Sequence, residues 1–239
     1  MPSFNKEWKV LPHGRVKTVD ERIITVESDI PMPLGKFPRR MTVVGLSRNR
    51  SAIFSAVALG DADMQRVEEV GQPSFLIVPN GHHRLDAHAW KRRYPKLKVM
   101  CPPAAKKSVS EAVPVDSTDD ILGDKDVQFV VVEGTGEAEA ALVVRRDSGT
   151  TLVANDVIAN VRHPHGLGGK IIVRLAGFGF KRPQVPRVVK RFMVEDKRKL
   201  AKQLRQWSEI PGLRRIIPSH GDLIERPVPA LQTMAEELS

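Results

Sequence analysis

Residues 79–88 read PNGHHRLDAH, so that two adjacent histidines, an aspartate and a third histidine fall within seven positions. They stand directly behind the apolar run Phe75–Val78. Two further segments repeat the arrangement of a ligand-type residue after an apolar β run: Asp156 after TTLVAN and His220 after RRIIPS. Loops at strand ends are where a rigid sheet can hold side chains convergently. Imidazole together with carboxylate suits zinc, iron or manganese better than magnesium or calcium. Each residue also has a structural reading. His82 or His83 can hydrogen-bond within a turn, Asp156 can cap a backbone N–H, and His220 can be a surface residue before Gly221. Three such residues, each ending a β run, favour one shared site.

The elements that must position them alternate along the chain. Residues 14–30 predict two short strands joined at Asp20-Glu21, and PMPLGKFPRR a proline-rich loop. MTVVGLSRNRSAIFSAVAL predicts two strands around a polar turn, and DADMQRVEEVG a short amphipathic helix. PSFLIVPN is apolar on both faces, as in a buried strand. RLDAHAWKRRYP is helical up to Pro95, KLKVMCPP is a strand and AAKKSVSEAV a helix. VQFVVVEG, AALVVRR and TTLVAND predict three more strands. After a less regular stretch come the helix DKRKLAKQLRQWSEI, the strand LRRIIPSHG and a closing helix, PALQTMAEEL. This is a mixed α/β chain, expected to form a single domain over residues 1–239.

The order of elements and these residues together resemble the metallo-β-lactamase-like superfamily, and HHRLDAHAWKRRYPKLKVMCPP, with a His-rich helix start before a Trp and a YP helix end, resembles one branch of it whose reaction is not established. The resemblance implies a four-layer αββα sandwich with metal ligands on loops at one edge of two facing sheets. TLVANDVI resembles the strand that carries a bridging aspartate, here Asp156, and IIPSHGD the final turn, with His220 as ligand. The His-x-His-x-Asp-His motif is reduced. Matching VPNGHHRL to it puts Asn80 at the first histidine, keeps His82 as the second, and puts Arg84 and Leu85 at the aspartate and the last histidine. The middle histidine is missing as well, with Gly134 or Thr135 in its place.

The resemblance thus implies at most a mononuclear site on His82, Asp156 and His220, holding one zinc, iron or manganese ion, or none. The expected reaction is metal-dependent hydrolysis of an ester, amide or phosphodiester. His83, Asp86 and His88 are candidates to replace a lost ligand, although Asp86 and His88 are two apart and so would not share a helix face. Arg84 would repel a second dication, or serve an anion pocket. His163 and His165, in RHPHG, are either further site residues or a polar surface loop.

The alternative is a member of the fold without catalysis that binds an anionic partner. The formal net charge is +10, of which +9 falls between Lys181 and Arg215. Such a segment attracts nucleic acid or other polyanions by long-range electrostatics. Only 5% of residues are aromatic, which gives sequence-specific reading of bases no support. A single cysteine, Cys101, excludes an intrachain disulfide framework and a multi-thiolate zinc site. The N-terminal residues carry no apolar leader and no run approaches membrane-spanning length, so the expectation is a soluble, cytoplasmic protein with no membrane partner.

Overall fold

The computed structural model describes residues 4–32, 35–164 and 173–239. The chain divides into two compact units, Met1–Ser28 with Arg40–Phe129, and Asp29–Arg39 with Val130–Ser239.

The first unit is built on a six-stranded sheet in sequential order. Its strands are β1 (Lys17–Asp20), β2 (Ile23–Met32), β3 (Gly35–Leu46), β4 (Arg50–Phe54), β5 (Gln72–Ile77) and β6 (Lys98–Met100), of which the end of β2 from Asp29 and the start of β3 as far as Arg39 count with the second unit. β3 and β4 pair antiparallel around the turn that begins at Ser47, where Arg48 and Asn49 take positive φ. From β4 onward the pairing is parallel, because α1 (Asp61–Val70) and α2 (Ala87–Arg93) supply the crossovers. α1 buries Met64, Val67 and Val70, the three apolar positions read from its period. They join Val43, Ile53, Leu76, Trp90 and Val99 in one continuous core. α3 (Lys106–Ser110) adds Val109 to it.

The second unit has a four-stranded sheet of order β10-β9-β8-β7, formed by β7 (Val127–Val131), β8 (Ala140–Arg146), β9 (Gly149–Ala154) and β10 (Leu213–Pro218). β8 and β9 form an antiparallel hairpin, whereas β9 and β10 run parallel. The connection between them contains α4 (Arg187–Phe192) and α5 (Lys197–Ser208), and α6 (Pro227–Glu236) follows β10. α5 is capped by Asp196, whose carboxylate accepts the N–H groups of Arg198 and Lys199. It sends Leu200, Leu204 and Trp207 into a core with Leu152, Ile216 and Leu231.

The proline-rich stretch expected to be a loop is largely strand. Pro38 lies in β3 beyond Thr42, the last residue of β3 that pairs with β4. A residue there has no neighbour on the β4 side that needs an N–H donor, which is where a strand admits proline. α4 is an element that its sequence, RVVKRF, did not announce. Among the described residues no helix is long and apolar enough to cross a membrane.

Candidate metal centre

In the first unit, β5 delivers the histidine pair. Asn80 is almost fully buried, and its Oδ1 accepts the backbone N–H groups of His82 (2.8 Å) and His83 (3.2 Å). Asn80, which the resemblance set against a first histidine, therefore has a turn-forming task of its own. This tight turn leaves the His82 ring exposed and the His83 ring half-buried. Nδ1 of His83 lies 2.7 Å from Oγ of Ser55. Ser55 follows β4, is 3% exposed, and has φ of 56°, while its N–H donates to the carbonyl of Ile77. A left-handed conformation in a residue other than glycine costs on the order of 1 kcal/mol and marks a position the fold over-determines.

Neighbouring candidates have structural tasks. Arg84 is buried and donates to the Ser108 carbonyl and, at 2.8 Å, to Glu111 Oε2. Its charge is thus met locally. Asp86 sits at the N-cap of α2 and accepts from Asn5 Nδ2 at 2.7 Å. The Nδ1–H of His88 donates to the Ala112 carbonyl at 3.0 Å, and its ring packs near Phe4.

In the second unit, two adjacent parallel strands bring Asp156 and His220 together. Ala154 pairs with Pro218, and the Ser219 N–H donates to the Ala154 carbonyl, so the two residues leave the same end of the sheet in step. His220 Nε2 lies 2.8 Å from Asp156 Oδ1, and both side chains are at most 10% exposed. The other ring nitrogen, Nδ1, lies 2.7 Å from the Pro38 carbonyl oxygen. A carbonyl only accepts, so Nδ1 carries a proton. In the neutral ring, Nε2 would then present a lone pair to a carboxylate at hydrogen-bond distance. Two acceptors cannot share that separation without something positive between them, either a proton on Nε2 or a cation bound by both. Phe37 and Phe178 flank the ring, with centroids 4.8 and 5.7 Å away.

The loop that carries His220 is held by backbone contacts. Asn160 N–H donates to the His220 carbonyl, and Asp222 N–H to the Asn160 carbonyl. Gly221 has φ of 93°, and a Cβ there would stand 2.2 Å from the Asn160 carbonyl oxygen, so only glycine fits. The residues directly before Asp156 and His220, Asn155 and Ser219, are buried, with Asn155 Nδ2 and Oδ1 and Ser219 Oγ lacking a partner among the described residues.

The residues that the resemblance set against a middle histidine, Gly134 and Thr135, have steric and hydrogen-bonding tasks. Gly134 has φ of 81°, and a Cβ on it would meet the Asp196 carbonyl oxygen at 2.4 Å. Thr135 is buried and spends its hydroxyl on the Val132 carbonyl at 2.7 Å. His163 is exposed and pairs with Asp222 at 3.1 Å. His165 lies outside the described residues. Sequence reasoning did not find Ser55, Phe37, Pro38 or Phe178. Nothing in a sequence announces a serine in left-handed conformation or a carbonyl that selects a tautomer.

No family model matches the chain, and no curated protein matches it in sequence. Solved structures do match. A structure of the DIM-1 metallo-β-lactamase exposed to ceftazidime is 14% identical over 97% of this chain and 100% of that one, with a TM-score of 0.63. A metallo-β-lactamase from Erythrobacter litoralis gives 12% identity, 96% and 100% coverage and a TM-score of 0.63. The FIM-1 enzyme from Pseudomonas aeruginosa in its mono-zinc form gives 12%, 96% and 97%, and 0.59. The chain therefore has a metallo-β-lactamase-like fold, an αββα sandwich, as the resemblance implied.

Proposed function

We propose that this metallo-β-lactamase-like fold holds a single metal ion on His83, Asp156 and His220, each offering one ligand atom, and acts as a metal-dependent hydrolase of an ester, amide or phosphodiester. The observation that carries the reading is the 2.8 Å approach of His220 Nε2 to Asp156 Oδ1, a pair of atoms that one cation can bind together, with Nδ1 of the ring held from behind by the Pro38 carbonyl. A metal-binding histidine characteristically donates its other N–H to a carbonyl or similar acceptor, and the partner of His220 is of that kind. Two imidazoles and a carboxylate fit zinc, and three protein ligands leave a coordination position open.

Zinc, when bound, supplies hydroxide near neutral pH and polarises an acyl or phosphoryl oxygen. The chain's own residues do the rest. Pro38 keeps the Nδ1 proton of His220 away from the ligand atom. Ser55 can do the same for His83. Phe37 packs tilted against the His220 ring and Phe178 edge-on, and the ring is nearly shut off from water.

His83 takes the place expected of His82, since it is His83 whose ring has a hydrogen-bonded neighbour that orients it. The test is metal content per chain by elemental mass spectrometry on untagged protein. One metal in the wild type, retained in His82→Ala and lost in His83→Ala and His220→Ala, is the expected result. Loss in His82→Ala alone would return the ligand to the neighbouring position. No metal in the wild type after incubation with zinc or manganese would end the hydrolase reading.

A second reading, binding of an anionic partner through residues 181–215, is favoured by one specific observation. Arg187, Arg191, Lys197, Arg198, Lys199, Lys202 and Arg205 are all exposed, and none has an acidic partner within salt-bridge distance among the described residues. Binding to immobilised heparin that weakens steeply with salt is the outcome expected.

A further inference from the structure

The surface cations of this chain are concentrated on α4 and α5. In the first unit some are paired, Arg92 with Glu7, Arg93 with Asp61, Lys98 with Asp116 and Lys17 with Glu27, while exposed Lys6, Lys9, Arg15, Arg48, Lys96, Lys106 and Lys107 have no salt bridge among the described residues and are scattered along the chain. On α4 and α5 the seven exposed cations have no such partners, although Glu195 and Glu209 are exposed close by in sequence. The first turn of α5 holds Lys197, Arg198 and Lys199, where the positive end of the helix disfavours them. A face that accepts this repulsion is arranged for something negative.

Two further facts narrow the partner. The apolar stripe of α5 is spent on the core through Leu200, Leu204 and Trp207, so its outward face has no apolar surface to insert into a lipid interface. At the end of α4, however, Phe192 is 81% exposed, directly after Arg191. An exposed aromatic ring next in sequence to an arginine without an acidic partner is suited to stack a base while cations meet the phosphates. Lys199 gathers with Glu133, Glu137 and Glu195 around one cleft, which removes it from the cationic stripe. Arg198, Lys202 and Arg205 fall at i, i+4 and i+7 on one face of α5.

We infer that Arg191, Phe192 and the α5 stripe Arg198, Lys202 and Arg205 form a docking face for single-stranded nucleic acid, read through its phosphates and one stacked base without sequence preference. This rests on the anionic-partner reading above and names its partner. A stripe of this kind discriminates flexible single strands from duplex through Phe192, since bases in a duplex are already stacked.

The experiment uses the full chain and a fluorescent 20-nucleotide oligo(dT), followed by anisotropy over a salt series, with heparin binding measured in parallel. The affinity should fall with salt at about 0.7 log units per log unit of salt for each phosphate neutralised. The triple variant Arg198→Gln, Lys202→Gln, Arg205→Gln should lower that slope by about 2 and weaken binding at low salt at least tenfold. Phe192→Ala should weaken oligo(dT) binding about tenfold while leaving the slope unchanged. All four residues are exposed, and thermal unfolding checks that the variants keep their fold.

Heparin binding without oligo(dT) binding would overturn this inference and spare the broader one; loss of both would end both. Duplex bound as tightly as oligo(dT), with Phe192→Ala neutral, would overturn the single-strand assignment. So would binding to vesicles containing phosphatidylserine with none to oligo(dT).

Discussion

Replacing Asp156 by asparagine tests the metal centre with the least disturbance of shape. The amide has the size of the carboxylate, and its Oδ1 can still accept from a protonated His220 Nε2 at the present 2.8 Å. What disappears is the negative charge that, beside the neutral ring, calls for a cation. A ligand that binds only the folded state stabilises it by about 2.7 kcal/mol at a free concentration one hundred times its Kd. For a chain of this size each kcal/mol moves the melting temperature by about 2–4 °C, so zinc should raise that of the wild type by roughly 5–10 °C. The assay is thermal unfolding of chelator-stripped protein with and without zinc at that concentration. His82→Ala should respond like the wild type. Asp156→Asn, with the charge of one of the three proposed ligands removed, should respond by less than about 2 °C. An unchanged zinc response in Asp156→Asn would refute the reasoning, because the metal would then sit elsewhere.

The supporting residues make separable predictions. Ser55→Gly removes the strained left-handed side chain and the partner of His83 together, so the metal-free protein should lose little stability while zinc affinity, measured against a chromophoric chelator, falls about tenfold. Gly221→Ala forces a Cβ against the Asn160 carbonyl and should cost on the order of 2 kcal/mol or more in denaturant unfolding. Glu111→Ala leaves the buried Arg84 without its carboxylate; because Glu111 itself is about half exposed, the expected loss is about 1–2 kcal/mol. Burial pushes the Cys101 thiol up to about 11, with Lys106 offsetting only part of this. The thiol therefore stays protonated in the folded chain across neutral pH, and iodoacetamide at pH 8 should modify it only after unfolding.

The sequence made the strand ends legible because period and turn residues mark where a buried run stops, and Asp156 and His220 both stand just past such stops. It could not separate His82 from His83. Adjacent residues in a turn point in different directions, and the direction here is set by the Asn80 side chain and by Ser55, which lies 28 residues earlier. Asn80 read as a lost ligand, yet its carboxamide holds the turn. The stretch around Pro38 read as a loop because proline usually breaks strands. Its strand character depends on β4 ending before it, which pattern alone cannot reveal. The short α4 has too few residues for a periodic signal.

The Pro38 carbonyl that orients His220 comes from a segment 182 residues earlier in the chain. The second unit is therefore discontinuous, with Asp29–Arg39 synthesised long before the strands it joins. A ribosome must deliver nearly the whole chain before the His220 ring can meet its orienting oxygen. Contacts of such sequence separation close late in folding, because the intervening loop must first be paid for in entropy. Any premature termination before residue 220 yields a chain that lacks the ring altogether. The orientation of the His220 ring thus reports completion of the chain: it is set only when both distant parts of the second unit have been made and joined.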